Sequence, residues 1–233
     1  MQPMPGRPGQ RSRWHPADVI PASATPFLLL TAALLLACGP PAPEATVAVA
    51  LAGSERGPAG DSVPVPVRAV EEARSTADSL GSRLMTRLRA ALQEDDAAGA
   101  VRVCADSAPV FTAELQRPER TVRRVSLRWR TPRDAPDTFE RTALEGMTAT
   151  LAQGGEPAEV LRVEDGPDGR WLRMLRPIRA VPMCLQCHGP ADSLDPAVRA
   201  VLAERYPDDQ ATGHADGDLR GAFSVRVRLP GAD

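Results

Sequence analysis

The sequence predicts an α+β fold made of one domain, and two patterns point to it. Downstream of residue 66, apolar residues first recur at spacings of three and four, which is typical of amphipathic helices. Farther along, short segments alternate apolar and polar residues between clusters of Gly, Pro and Asp, which is typical of antiparallel strands joined by turns. Residues 1–66 show neither pattern, so we expect a single folded domain over residues 67–233.

Residues 1–38 are predicted to be a lipoprotein signal peptide. Arginines precede an apolar run, Phe27–Ala37, that is short for a membrane span but suits the core of a signal peptide. The run ends in LLACG, which resembles a bacterial lipobox, so Cys38 would carry the lipid. The residue after this cysteine is Gly39 rather than Asp, as in lipoproteins that are sorted to the outer membrane. We therefore expect a protein of the cell envelope that faces the periplasm. A plain signal peptide, or a buried helix with an incidental cysteine, is the alternative.

A flexible tether is predicted next, over residues 39–66, because this stretch is rich in Pro, Ala and Gly and has little periodic apolar pattern. A long amphipathic helix should follow from Val67. Its stripe contains Val70, Ala73, Ala77, Leu80, Leu84, Leu88 and Ala91. In a second helix Val101, Cys104 and Ala108 share one face until Pro109 disturbs the pattern, so Cys104 should point toward the core.

The second half of the chain supplies the strands. Val125, Leu127 and Trp129 alternate with polar residues and predict a half-buried strand. A helix spaced by Phe139, Ala143, Met147 and Leu151 is predicted to end at Gly154-Gly155, and a hairpin to join Glu159–Glu164 to Arg170–Arg176. Asp195 caps a short helix that has Pro196 in its first turn. A last strand covers Phe223–Leu229. This succession supports the α+β prediction.

The clearest chemical motif is Cys184-Leu185-Gln186-Cys187-His188, a Cys-x-x-Cys-His sequence. Two thiols separated by two residues can form thioethers with the two vinyl groups of one porphyrin, and the adjacent imidazole can ligate its iron. Covalent haem attachment takes place outside the cytoplasm, so the export signal supports the motif. The sequence therefore predicts one covalent c-type haem, attached through Cys184 and Cys187 and ligated by His188.

Three other interpretations of the motif compete with haem. A thioredoxin-like redox pair needs a parallel βαβ setting, and none is visible around Cys184. A zinc site needs four ligands, which only Cys104 and His214 could complete. A Cys184–Cys187 disulfide would be strained and would leave His188 without a role.

Cysteine arithmetic singles out Cys104. If Cys38 is lipidated and Cys184 and Cys187 form thioethers, Cys104 is left alone among the 4 cysteines in an oxidising compartment. It is either the second axial ligand of the iron or a small buried hydrophobe. The residues alone leave these two possibilities even.

Three separated blocks carry a family resemblance. They read RRVSLRWRTPRDAPDTFE, PMCLQCHG and YPDDQATGHADGDLRGAFSV, and together with a block AVRVCADSAP they span about Val67 to Leu229. They resemble a bacterial family of single-haem c-type, PAS-like domains. The resemblance implies a PAS-like antiparallel sheet with a long N-terminal helix and flanking helices, and a haem with His188 and Cys104 as axial ligands. The family varies where this chain has His214, which is a competing ligand or a solvated loop residue.

The expected function follows from two protein ligands on iron. A six-coordinate His/Cys haem favours redox or gas sensing, or one-electron transfer, over catalysis. A peroxidase-type enzyme is the alternative, with His214 as its only candidate base. Among six arginines that could pair with haem propionates, we select Arg128 and Arg176. A redox or signalling partner protein and a membrane contact through the lipid are implied. The net charge of −2 gives no polycation for nucleic acid to recognise.

Overall fold

The computed structural model describes residues 46–50 and 62–231, all within one compact unit. The described part is a mixture of helices and antiparallel strands, which confirms the α+β class. The helices are α1 Val67–Glu94, α2 Ala97–Glu114, α3 Thr138–Ala152, α4 Leu185–His188 and α5 Pro196–Arg205. The strands are β1 Thr46–Ala50, β2 Ser62–Pro66, β3 Arg120–Val125, β4 Val160–Gly166, β5 Gly169–Arg179 and β6 Leu219–Arg228.

Strands β3 to β6 form one antiparallel sheet in the order β3-β6-β5-β4. The β4–β5 hairpin turns where the sequence places Pro167 and Asp168, and Gly169 follows with a φ of 123°, a conformation that favours glycine. Each hairpin strand is longer than its alternating pattern predicts, and β6 begins at Leu219 rather than Phe223. The extra residues pair across the ladder even where their side chains do not alternate in polarity.

Helix α1 covers one face of the sheet and builds the main core with it. The apolar residues at helical spacing on α1 are the ones that turn inward. The core contains Ala69, Val70, Ala73, Ala77 and Leu80 of α1 and Val122, Leu172, Met174, Val225 and Val227 of the sheet. Complete burial of a residue such as Leu80 stabilises the fold by about 1.5–3 kcal/mol. Within residues 46–50 and 62–231, no helix is both long and apolar enough to cross a membrane.

The segment predicted as a tether contains two strands. β1 and β2 pair with each other in antiparallel register, and Val65 of β2 is fully buried in the main core beside α1. The Val-Pro alternation of β2 is a period of two, and the φ that proline imposes suits extended chain in a strand pair outside the main sheet. The tether was predicted to extend to residue 66, but residues 62–66 belong to the folded domain.

Helix α2 and strand β3 differ from their predictions. α2 runs through Pro109 to Glu114, since Phe111 and the C-cap residue Leu115 pack against the main core and compensate for the missing hydrogen bond. β3 ends at Val125, where the predicted strand was to begin. Ser126 leaves the sheet because its N–H donates to Asp134 O (3.1 Å) instead of a neighbouring strand. The following residues, 127–131, are consequently loop.

Helix α5 begins as its capping residue predicts, and α3 begins with a capping box that was not predicted from the sequence. Asp195 accepts a hydrogen bond from the N–H of Ala197 (2.7 Å) at the start of α5. At the start of α3, Asp137 and Glu140 form a reciprocal capping box, with both bonds at 2.9 Å.

Glu140 also anchors α3 to the sheet. Its side chain is 1% exposed, and its carboxylate accepts from Ser224 Oγ (2.6 Å) and Arg173 Nη2 (3.1 Å) and pairs with Arg123. This buried network holds α3 against the face of the sheet opposite α1.

Candidate functional site

The Cys-x-x-Cys-His motif lies at the end of the sheet, on a short turn and helix. Residues 182–184 form a turn of 3-10 helix, and α4 continues it to His188. Helix α2 packs against both α4 and α5. Cys187 packs with Val101 of α2 and with Val198 and Leu202 of α5 in a small apolar cluster. The fold thus brings the face of α2 that carries Cys104 to the motif, although the two are distant in sequence.

The three described cysteines are free, half-buried thiols near one another. Burial raises the pKa of Cys187, and the neighbouring Cys104 and Cys184 raise it further, while Arg130 opposes them. Burial likewise raises the pKa of Cys104, against the charges of Arg124, Arg87 and Arg130. Both thiols are therefore protonated at neutral pH until a group that binds thiolate displaces the proton.

The ring of His188 is held in one tautomer. Nδ1 lies 2.7 Å from the carbonyl oxygen of Ala211, to which only an N–H can donate. Nη2 of Arg130 is farther from Nδ1, at 3.2 Å, and donates to Cys187 O at 2.7 Å instead. Nε2 then carries the lone pair, and the Nε–H of Arg220 lies 3.4 Å from it. A histidine that ligates a metal through Nε2 commonly donates its other N–H to a carbonyl in this way. The hydrogen bond to Ala211 therefore prepares Nε2 as a ligand.

His188 is also kept neutral. Burial holds its pKa well below the usual value, and the positive charges of Arg220 and Arg130 lower it further. A neutral imidazole with a fixed lone pair is the form that binds a metal ion.

Arg130 clamps the motif to the segment that follows α5. Its Nη2 donates to Cys187 O (2.7 Å), its Nε donates to Asp209 Oδ1 (3.2 Å), and its guanidinium stacks on the ring of Tyr206 at 5.5 Å. Asp209 Oδ1 also accepts from the N–H of Ala211 (2.9 Å). Arg130 thereby fixes the position of the carbonyl that orients His188.

Two backbone hydrogen bonds join the motif to the loop of residues 211–218, which precedes β6. The N–H of Gly213 donates to Gly189 O and that of His214 to His188 O, each at 2.8 Å. They place the ring of His214 beside that of His188, with centroids 6.2 Å apart and planes at 85°. His214 is 1% exposed, so it is not the solvated loop residue that was one of the two expectations.

Arg128 lies at the site, where it holds this loop. Its Nη1 donates to the carbonyl oxygens of Thr212 (3.0 Å) and Gly213 (2.8 Å), and its Nη2 lies 2.9 Å from Nδ1 of His214. Its donors are thus directed at protein atoms. Arg176, the other arginine selected from the sequence, is not in this group, because it pairs with Asp78 of α1 at 2.9 Å.

Positive charge exceeds negative charge around His188. Arg220, which is half-buried, donates from Nη1 to Ser126 Oγ (3.2 Å) and Arg128 O (3.3 Å). Burial lowers its pKa to about 9, and Arg130 adds to the effect. Within residues 62–231 no carboxylate lies within 4.0 Å of its guanidinium. The site can therefore accept an anionic group.

Sequence reasoning did not assign the residues that support the motif. Arg130 was one of several candidate propionate arginines, and Asp209, Ala211 and Tyr206 had no role. Their signal lies in the third block of the family resemblance, YPDDQATGH, which contains the whole segment that contacts the motif. The single residues in it carry no chemistry that would distinguish them from an ordinary loop.

Two competing interpretations can be compared with this geometry. In the described part of the chain, no three His, Cys, Asp or Glu side chains come close enough together to hold a metal ion. Cys184 and Cys187 are not joined by a disulfide. Neither the zinc cluster nor the disulfide is present among these residues. Cys38 lies outside the described residues.

The fold and the site define a small α+β domain in which Arg128, Arg130 and Arg220 surround the end of a Cys-x-x-Cys-His motif. The model of the Tll0287-like family matches residues 65–228, and the chain belongs to this family. Among solved structures, the crystal structure of the cyanobacterial haem protein Tll0287 is similar at 19% sequence identity, covers 72% of this chain and 96% of its own, and gives a TM-score of 0.49. No curated protein sequence gives a significant match.

Proposed function

We propose that this chain binds one haem covalently, through thioethers to Cys184 and Cys187, with His188 Nε2 and Cys104 Sγ as axial ligands. The observation that carries the proposal is His188, whose Nδ1–H is bound to Ala211 O so that Nε2 carries the lone pair a metal ion needs. Tll0287, which gives the family its name, is a haem protein. The sequence resemblance adds a PAS-like arrangement of sheet and helices around the group.

The residues present fit such a group chemically. The thiols of Cys184 in the 3-10 turn and of Cys187 in α4 can reach two vinyl groups, and the excess positive charge around Arg220 matches the two carboxylates of haem. Cys104 comes from a different helix, α2, that packs on the motif, so it can approach the iron independently of His188. When bound, haem supplies an iron that exchanges one electron.

We propose redox or gas sensing, or one-electron transfer with a partner protein, as the task of this haem. Two protein ligands would leave the iron closed to small molecules until one is displaced. A peroxidase needs a base beside the iron. His214, the candidate from the sequence, has an arginine donor at Nδ1, so its other nitrogen carries the proton and cannot accept one. This observation favours a redox role.

Expression of the full chain with a cytochrome c maturation system is expected to give a haem protein. The measurement is the alkaline pyridine haemochrome spectrum, which should be that of c-type haem, because saturation of both vinyl groups shifts the band. The haem should also stay with the chain after acid and organic extraction. The matched control is the Cys184→Ala/Cys187→Ala double variant, from which any haem should be extracted. A colourless wild-type chain would overturn the proposal.

We further propose that the protein is a lipoprotein of the cell envelope, anchored through Cys38. The support is the arginine-flanked apolar run that ends in LLACG. Cys38→Ser is expected to move the protein from the membrane fraction to the soluble periplasmic fraction and to abolish incorporation of labelled palmitate. Cys104→Ser should leave both unchanged. Retention of the Cys38→Ser variant in membranes would contradict the anchor.

A further inference from the structure

His214 presents a buried donor that has no acceptor. The guanidinium of Arg128 can only donate, so Nδ1 of His214, 2.9 Å from Nη2, accepts, and the ring proton sits on Nε2. The carboxylate of Asp218 lies 3.9 Å from Nδ1, too far for a hydrogen bond that would favour the other tautomer. Nε2 is buried, and within residues 62–231 it has no hydrogen-bond partner. Buried polar atoms of folded proteins are rarely left in this condition.

Arg220 is a second group beside His188 whose needs are not met, because it has no negatively charged hydrogen-bond partner within residues 62–231. It sits between Arg128 and His188, and its hydrogen bonds go to a hydroxyl, a carbonyl and an imidazole, all of them uncharged. Its Nε–H faces the lone pair on Nε2 of His188. Coordination of a metal ion by that lone pair would replace this hydrogen bond and leave the donor of Arg220 available. Arg220 and His214 share one region, because Nε of Arg220 lies 3.4 Å from Nε2 of His188 and the ring of His214 lies beside that of His188, with centroids 6.2 Å apart.

The geometry points to a carboxylate-binding site beside His188, in which the Nε2–H of His214 donates to a carboxylate oxygen and Arg220 supplies the counter-charge. A carboxylate satisfies both needs, because it accepts several hydrogen bonds and carries the missing negative charge. It can come from a propionate of the haem, in which case the site rests on the proposed function, or from a free small carboxylate. Arg128 is then a positioning residue, which fixes the tautomer of His214.

The first test is NMR of the full, haem-loaded protein labelled with ¹⁵N-histidine, in the reduced low-spin form. The chain has 3 histidines, so each ring can be assigned by replacement. His214 should give an Nε2–H signal that exchanges slowly with water and disappears in His214→Gln. A propionate source predicts that this signal is present without additives and does not respond to acetate. A free carboxylate predicts that titrated acetate shifts it and slows its exchange.

The second test measures redox balance. Arg220→Gln removes a positive charge near the iron, so at a fixed solution potential the ratio of ferrous to ferric protein should fall about tenfold. Arg220→Lys should restore most of it. Arg162→Gln is the control, because Arg162 is a half-buried arginine that stacks on Phe139 of α3. Its ratio should equal that of the wild type.

Rapid exchange of the His214 Nε2–H both with and without acetate would overturn the carboxylate site. An equal ratio of ferrous to ferric protein in Arg220→Gln and Arg162→Gln would also overturn it. Failure of the proposed function is recognised separately, from a wild-type chain without the haemochrome spectrum. In a colourless chain, the acetate titration of His214 still decides whether a free carboxylate binds.

Discussion

Alanine at position 104 is expected to open one axial position of the haem iron while the haem stays attached. Cys184 and Cys187 would still hold the porphyrin, so the haemochrome spectrum and the haem content should not change. The ferric absorption spectrum should move toward the high-spin form. Imidazole should bind about 10- to 100-fold more tightly to Cys104→Ala than to the wild type, because it no longer competes with a protein ligand.

Ser107→Ala is the matched control for this experiment. Ser107 is on the same helix and is half-buried, and within residues 62–231 its hydroxyl bonds only to the backbone carbonyl of Val103. Its variant should keep the wild-type ferric spectrum and imidazole affinity. A wild-type spectrum in Cys104→Ala would remove Cys104 from the iron and would leave it as a small buried hydrophobe.

Replacement of Glu140 by alanine should destabilise the fold more than any surface change. The carboxylate is buried and accepts from Ser224 and Arg173 and pairs with Arg123. Its loss leaves the buried hydroxyl of Ser224 without its acceptor and removes one of the three carboxylates that surround the buried guanidinium of Arg173. Removing one partner of a buried ion pair costs about 3–5 kcal/mol. We expect the free energy of unfolding, measured by urea titration, to fall by that amount.

Two variants bracket the result for Glu140. Glu140→Gln keeps the shape and part of the hydrogen bonding, so its loss of stability should be intermediate. Glu145→Ala changes an exposed glutamate on the same helix and should alter the free energy of unfolding by less than about 0.5 kcal/mol. Equal stability of Glu140→Ala and Glu145→Ala would show that the buried network is energetically neutral.

Local chemistry explains which parts of the fold could be predicted. The α5 start at Asp195 and Pro196, the end of α3 before Gly154 and the β4–β5 turn depend on residues next to one another in sequence. The strand predicted at residues 125–129 was wrong. Apolar and polar residues do alternate there, but after Val125 the backbone does not form the hydrogen bonds of a sheet. Ser126 bonds to Asp134 and Arg220, and no local pattern contains that information.

The candidate site divides in the same way. The motif from Cys184 to His188 is continuous and was visible directly. An arginine that clamps a motif has the same local sequence as an arginine on a strand surface, so Arg130 could not be told apart from Arg176. The difference between the two arginines is that Arg130 lies in the loop after β3, and the fold places this loop beside residues 209–214.

Pro109 gives helix α2 a mechanical asymmetry. Proline has no N–H, so the carbonyl of Ala105 lacks its partner in the helix. The helix therefore bends most easily within the turn that follows Cys104. The first half of the helix is packed against α4 and α5, whereas Phe111 in the second half and the C-cap residue Leu115 are packed against the main core. A displacement of the sulfur by a fraction of an ångström can thus be absorbed as a hinge angle at Pro109, with the sheet undisturbed.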